Sequence, residues 1–89
     1  MSKRIAIIGA VLENPKYSQD QFNTVVSNFK GIVKGRMGLP MPEAGVSVIS
    51  ITILATLDEI NNLTGRLGNI KDVTVKTSIS KKEIVVWKN

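Results

Sequence analysis

Apolar positions along this chain come in three patterns, and each predicts a different element. Ile5 to Leu12 and Val46 to Leu54 are apolar on both alternating sets of positions and rich in Ile and Val. Such runs, bounded by turn residues such as Asn14-Pro15, suit central strands with both sides covered. Val73, Val75, Thr77 and Ile79 alternate with Thr74, Lys76 and Ser78, the period of a half-exposed edge strand. Phe22, Val25, Val26 and Phe29 recur at helical spacing, and so do Leu57, Ile60, Leu63 and Leu67.

The boundaries carry their own signals. Tyr17 and Ser18 open the first helix, with Ser18 and Gln21 as a capping box and Tyr17 stapled to Phe22; Gly31 supplies the stop. Thr56 and Glu59 repeat the box ahead of the second helix, which holds Gly65 at some cost in propensity and stops at Gly68. Between the helices, Ile32 to Gly38 reads as a short edge strand weakened by glycine, and Leu39 to Gly45 as a proline-rich turn. The tail Glu83 to Trp87 is apolar enough to pair as an extra strand, in this chain or on a neighbour.

The order β-α-β-β-α-β predicts an α+β fold, the ferredoxin-like βαββαβ sandwich. It has an antiparallel four-stranded sheet, two helices on one face, and the first and third strands in the centre. Residues 1–80 form the domain and residues 81–89 the tail. Two helices cover only one face of such a sheet, yet the central strands are apolar on both. The bare face exceeds what soluble monomers usually expose, and burying it at about 25 cal/mol per Å² is favourable. A homodimer or homotetramer is therefore expected, through the open face or an edge strand. A tail folded over the face is the other solution.

Composition narrows the chemistry. With 89 residues the chain makes one domain with a modest core. It has no cysteine and no histidine. Disulfides, thiolate metal sites and the commonest general base are thus excluded, no metal or cofactor is expected, and self-association is left to supplement the core. The net charge of +5 is spread over Lys3-Arg4, Lys34 and Arg36, Arg66 and Lys71, and Lys81-Lys82, with acidic residues between. That is a solvated surface more than a nucleic-acid footprint, although a basic nucleic-acid-associated protein is the alternative it leaves open. Lys3-Arg4 before Ile5 to Leu12 imitates a signal peptide but lacks a cleavage site, and the run is too short to span a bilayer; a cytoplasmic chain without membrane contact is expected. The Asn62-Leu63-Thr64 sequon falls in a predicted helix and is incidental.

No nucleophile can be activated, because the serines lack a histidine, and Asp58-Glu59 at a helix start complements the macrodipole. The central strands carry no aromatic residue on which RNA bases could stack. An enzyme is not expected. Arg36, flanked by Gly35 and Gly38, has the planar fork to hold a carboxylate or phosphate; it equally serves as an edge-strand charge against aggregation.

The segments Gly35-Arg36-Met37-Gly38-Leu39-Pro40, Gly45 to Ser50, Leu63-Thr64-Gly65-Arg66-Leu67-Gly68 and Val73 to Thr77 resemble those of the small iron-only hydrogenase system regulators. That family is similar to ACT domains and to the C-terminal domain of the nickel-responsive repressor. The resemblance covers residues 4 to about 80 and implies an oligomeric regulatory domain that senses a small-molecule effector, a transcriptional regulator of such a system. In ACT-like domains effectors sit near the first strand-helix loop at a subunit interface. That places Glu13, Asn14 and Lys16 as ligand-binding candidates beside Arg36, with Thr64 bringing backbone close to a partner. An ordinary turn and simple helix packing account for the same residues. Some ferredoxin-like domains hydrolyse acyl phosphates with an Arg in that loop, and none stands here. The repressor's nickel site needs His and Cys, so it does not carry over, and this stretch contains no ribbon-helix-helix segment. A purely structural assembly module is the remaining alternative.

Overall fold

Period-2 runs became strands and period-3.6 runs became helices, in the expected order. The structure, a computed structural model, describes residues 2–85. Its elements are β1 (Ser2–Leu12), α1 (Pro15–Ser27), a 3-10 turn at Lys30–Ile32, β2 (Val33–Met41), β3 (Val46–Ala55), α2 (Leu57–Gly68), β4 (Val73–Ile79) and β5 (Ile84–Val85). The sheet is antiparallel in the order β2-β3-β1-β4, so the two most apolar strands lie in the centre. This is the ferredoxin-like α+β arrangement.

Register divides the side chains cleanly. Ala6, Ile8, Ala10 and Leu12 of β1 oppose Ile53, Ile51, Ile49 and Ser47 of β3, and all point toward the helices. Phe22, Val25 and Val26 of α1 and Ile60, Leu63 and Leu67 of α2 close over them, giving one core between the sheet and a single helical layer. Among the described residues no buried side-chain polar atom lacks a hydrogen-bond partner.

The two helix starts differ. At α2 the capping box forms in both directions. The Glu59 N–H donates to Thr56 Oγ1 at 3.3 Å, and the Thr56 N–H donates to Glu59 Oε1 at 2.9 Å. At α1 the expected Ser18–Gln21 box is absent. Pro15 takes the first helical position, where its fixed φ suits the helix and its missing N–H costs nothing, so the helix starts four residues early with Asn14 as N-cap. Ser18 then falls inside the first turn, buried, with its hydroxyl donating back to the Asn14 carbonyl at 3.1 Å. The Tyr17–Phe22 staple is not made either: Tyr17 is 76% exposed. The helix also ends earlier than Gly31, at Ser27 with Asn28 as C-cap.

The β2 strand is longer than expected and runs through Pro40 to Met41, because an edge strand tolerates a residue that cannot donate to the ladder. The turn shrinks to Pro42–Gly45, where Gly45 adopts a φ of 69° that glycine reaches without strain. A register shift between Val33 and Gly35 marks a bulge at the start of the strand. Past the interruption at residues 80–83, Ile84 and Val85 pair with Lys3 and Ser2 and so resume the ladder along β1. They extend the sheet and do not cross its open face. Val86 and Trp87, the end of the expected tail strand, lie outside the described residues.

Candidate functional site

Two regions of the surface stand out, and the first lies at one end of the sheet. There β1 runs out at Leu12 opposite the start of β4 at Val73, which brings the β1–α1 loop against the α2–β4 loop. The Glu13 N–H donates to the Asp72 carbonyl at 2.9 Å and ties the two loops together. Asp72 holds a φ of 62°, a left-handed conformation that Asp tolerates better than most residues. Between the loops lies an open cleft of about 430 Å³ lined by Asn14, Tyr17, Ser18, Gln21, Lys71 and Asp72. Its volume falls within the usual range for small-molecule sites.

The polar character of this cleft follows from the way α1 starts. The Asn14 carbonyl accepts from the Tyr17 and Ser18 N–H groups at 3.0 and 3.2 Å, so backbone does the capping and the Asn14 amide makes no cap hydrogen bond. Among the described residues, no hydrogen bond or ion pair engages the side chains of Tyr17, Gln21, Lys71 or Asp72. A cation, a carboxylate, two amides and a phenol thus face one small space.

Of the five expected ligand residues, Glu13, Asn14 and Lys16 sit at this end, and Asn14 lines the cleft itself. Arg36 and Thr64 sit elsewhere. Arg36 is on the helix side of β2, its guanidinium 5.6 Å from the Phe22 ring centroid and donating to Asn23 Oδ1 at 2.6 Å. Thr64 shares a 2.8 Å hydroxyl pair with Thr77, pinning α2 to β4 at the opposite sheet edge. Two central strands separate β2 from β4. The fold therefore does not gather these five residues into one site. Tyr17, Gln21, Lys71 and Asp72 went unrecognised in the sequence. The signal was topological: in a split βαβ fold the first and last strands are antiparallel neighbours, so the loop before the last strand must meet the loop after the first.

The second region is the face of the sheet away from the helices. Ile5, Ile7 and Val11 of β1 emerge there, with Ile7 half exposed at 50%. Beside them stand Met37 and Leu39 of β2, exposed at 71% and 58%. They form an apolar surface that Ser50 and Thr52 of β3 interrupt and that Thr74, Lys76 and Ser78 of β4 border in the same transverse rows. Among the described residues nothing covers it.

Among the described residues no helix is long and apolar enough to cross a membrane, and no group of three or more acidic, His or Cys residues could hold a metal ion.

Comparison with known proteins agrees with this architecture. Residues 4–77 match the TM1266-like family model, described as "Iron-only hydrogenase system regulator, putative". Among solved structures, the uncharacterized protein TM1266 from Thermotoga maritima superposes with a TM-score of 0.85 at 33% sequence identity, covering 89% of this chain and 99% of that one. No curated protein gives a significant match.

Proposed function

The chain belongs to the TM1266-like family of iron-only hydrogenase system regulators, and from that membership we propose that it acts by self-association and small-molecule binding, without catalysis. The observation that carries this reading is the uncovered apolar face. Ile7, Met37 and Leu39 are each at least half exposed on a sheet whose central strands are buried against the helices on the other side. A monomer of this size gains nothing by leaving such side chains in water, whereas a second surface recovers about 25 cal/mol for each Å² covered. The effector site is the cleft between the β1–α1 and α2–β4 loops, where Lys71 and Asp72 offer opposite charges to a small polar ligand. The regulated step is transcription, and the chain works in the cytoplasm.

Sedimentation velocity over a range of concentrations, combined with a thermal-shift panel of amino acids and nucleotides, tests the proposal. The expected outcome is a dimer or tetramer whose Tm rises with one ligand class, since binding to the native state alone stabilises by mass action. The shift should be insensitive to salt. A particle that stays monomeric and responds to no ligand refutes it. DNA retention that collapses steeply with salt points instead to the basic nucleic-acid-associated alternative.

A further inference from the structure

The middle of the open face is unexpectedly small. Gly9 sits at the centre of β1, in one transverse row with Lys76 of β4 and Ser50 of β3, and Ser50 in turn opposes Met37 of β2. The neighbouring row on one side carries Ile7 and Thr52, and the row on the other carries Val11 and Val48. The face therefore has a trough across it, floored by Gly9 and Ser50 and walled by Ile7 and Val11.

Glycine inside a central strand costs β-propensity, and this chain receives nothing in return. The φ of Gly9 is not positive. A Cβ built on it would meet only the Lys76 carbonyl oxygen, at 3.8 Å, an ordinary contact. A strand glycine that its own chain does not require marks the close approach of another backbone or of a ligand.

Building on the self-association proposed above, we propose that the approaching surface is a second copy of this chain, packed face to face, with Ile7 of each protomer seated in the trough over Gly9 of the other. The arrangement is isologous, its two-fold axis lying in the interface plane and crossing the strands between the Gly9 and Ile7 rows. That single offset sets large against small. Ile7 meets the hole at Gly9, the hydroxyl of Ser50 comes against that of Thr52, and on the β2 flank the exposed Met37 comes over the region of Gly35, where a Cβ would meet nothing within 4 Å.

Charge allows the same pairing. These two rows hold no carboxylate and one cation, Lys76, whose long stem can lie on the apolar surface while its ammonium reaches the rim. Size allows it too. The molecule measures 47 × 20 × 19 Å, so the sheet presents several hundred Å², of the order of the roughly 800 Å² that a stable interface takes from each partner.

The test is sedimentation of the Gly9→Leu variant, with circular dichroism and Tm as controls on the fold. The expected result is a native-like fold whose dimer dissociation constant rises at least tenfold. The double variant Gly9→Leu/Ile7→Ala, which exchanges knob and hole, should recover most of that loss. If Gly9→Leu associates as tightly as the wild type, the face-to-face arrangement is wrong although self-association stands, and an edge strand carries it. If the wild type itself is monomeric at every concentration, this arrangement and the self-association it rests on both fall. A monomer that instead binds anionic vesicles or RNA, and loses that binding in Gly9→Leu, overturns the second copy in favour of that occupant. Should Gly9→Leu fail to fold, Ser50→Cys decides the matter, because the chain has no native cysteine. A short bis-maleimide should link two such copies, whereas a Cys placed at exposed Asp20 of α1 should not link; no link at residue 50 refutes the proposal.

Discussion

The two faces of this sheet come from the same strands and differ only in which alternate residues they receive. On β1, Ala6, Ile8, Ala10 and Leu12 face the helices and are buried, while Ile5, Ile7 and Val11 face away and are exposed by a third or more. Ile7 and Ile8 are the same residue type, one peptide apart. Hydrophobicity therefore did not assign them to the two environments; the helices did, by lying on one side. Over the two central strands the helical face is finished within the chain, with Phe22, Ile60, Leu63 and Leu67 filling it. The open face carries apolar side chains that nothing among the described residues covers, and it is the surface assigned above to the proposed second copy.

Substitutions that treat the two faces alike should separate them. The largest effect is expected from Ile51→Asp, which puts a carboxylate into the fully buried side. An unpaired buried charge costs several kcal/mol, most of the stability of a domain this small, so the variant should show no cooperative urea transition. The same charge at Ile7→Asp, on the open face, should keep a cooperative transition within about 1 kcal/mol of that of the wild type diluted to monomer and abolish association in sedimentation. If Ile7→Asp unfolds the monomer, the open face is part of the core and the contrast fails.

Smaller changes probe how the helical layer is fastened to its side. Thr56→Ala removes the Oγ1 that accepts the Glu59 N–H, while the backbone N–H of residue 56 can still donate to Glu59. It should cost about 1 kcal/mol, a fall in Tm of roughly 4–8 °C for a domain of this size, with the oligomeric state unchanged. Thr64→Val strands the Thr77 hydroxyl that it now pairs at 2.8 Å. Urea titration should register a loss of about 1 kcal/mol. Arg36→Ala should have the smallest effect. Its stacking on Phe22 is solvent-exposed at the β2 edge, where such contacts contribute about 0.5–1 kcal/mol.

How far the fold could be read in advance depended on how local each cause was. The central strands, the β4 alternation and the Thr56–Glu59 box were legible because period and spacing specify them within a few residues. Ser18-x-x-Gln21 has the same spacing and misled, because Pro15, three residues earlier, sets a helical φ and starts the helix first. Pro40 misled in the opposite direction. It reads as a turn residue, yet the β2–β3 register carries the strand through it, since the edge asks for no donor there. The cleft was half legible. Glu13, Asn14 and Lys16 could be placed in its loop, but Lys71 and Asp72 join it only through the pairing of Leu12 with Val73. Arg36 and Thr64 were flagged by residue type and neighbouring glycines, and only packing revealed their partners, Asn23 and Phe22 for one and Thr77 for the other.

The sequence by itself determined the order of elements, the apolar character of the middle strands, the α2 cap and the absence of His and Cys chemistry. Each of these depends on residues that are neighbours in the chain or on composition alone. Tertiary structure decided which parity of each strand meets the helices, which loops share the cleft, and that Gly9 lies at the centre of an uncovered face. Those outcomes depend on register between segments tens of residues apart, and side chains of equal hydrophobicity carry no local preference for one side of a sheet over the other.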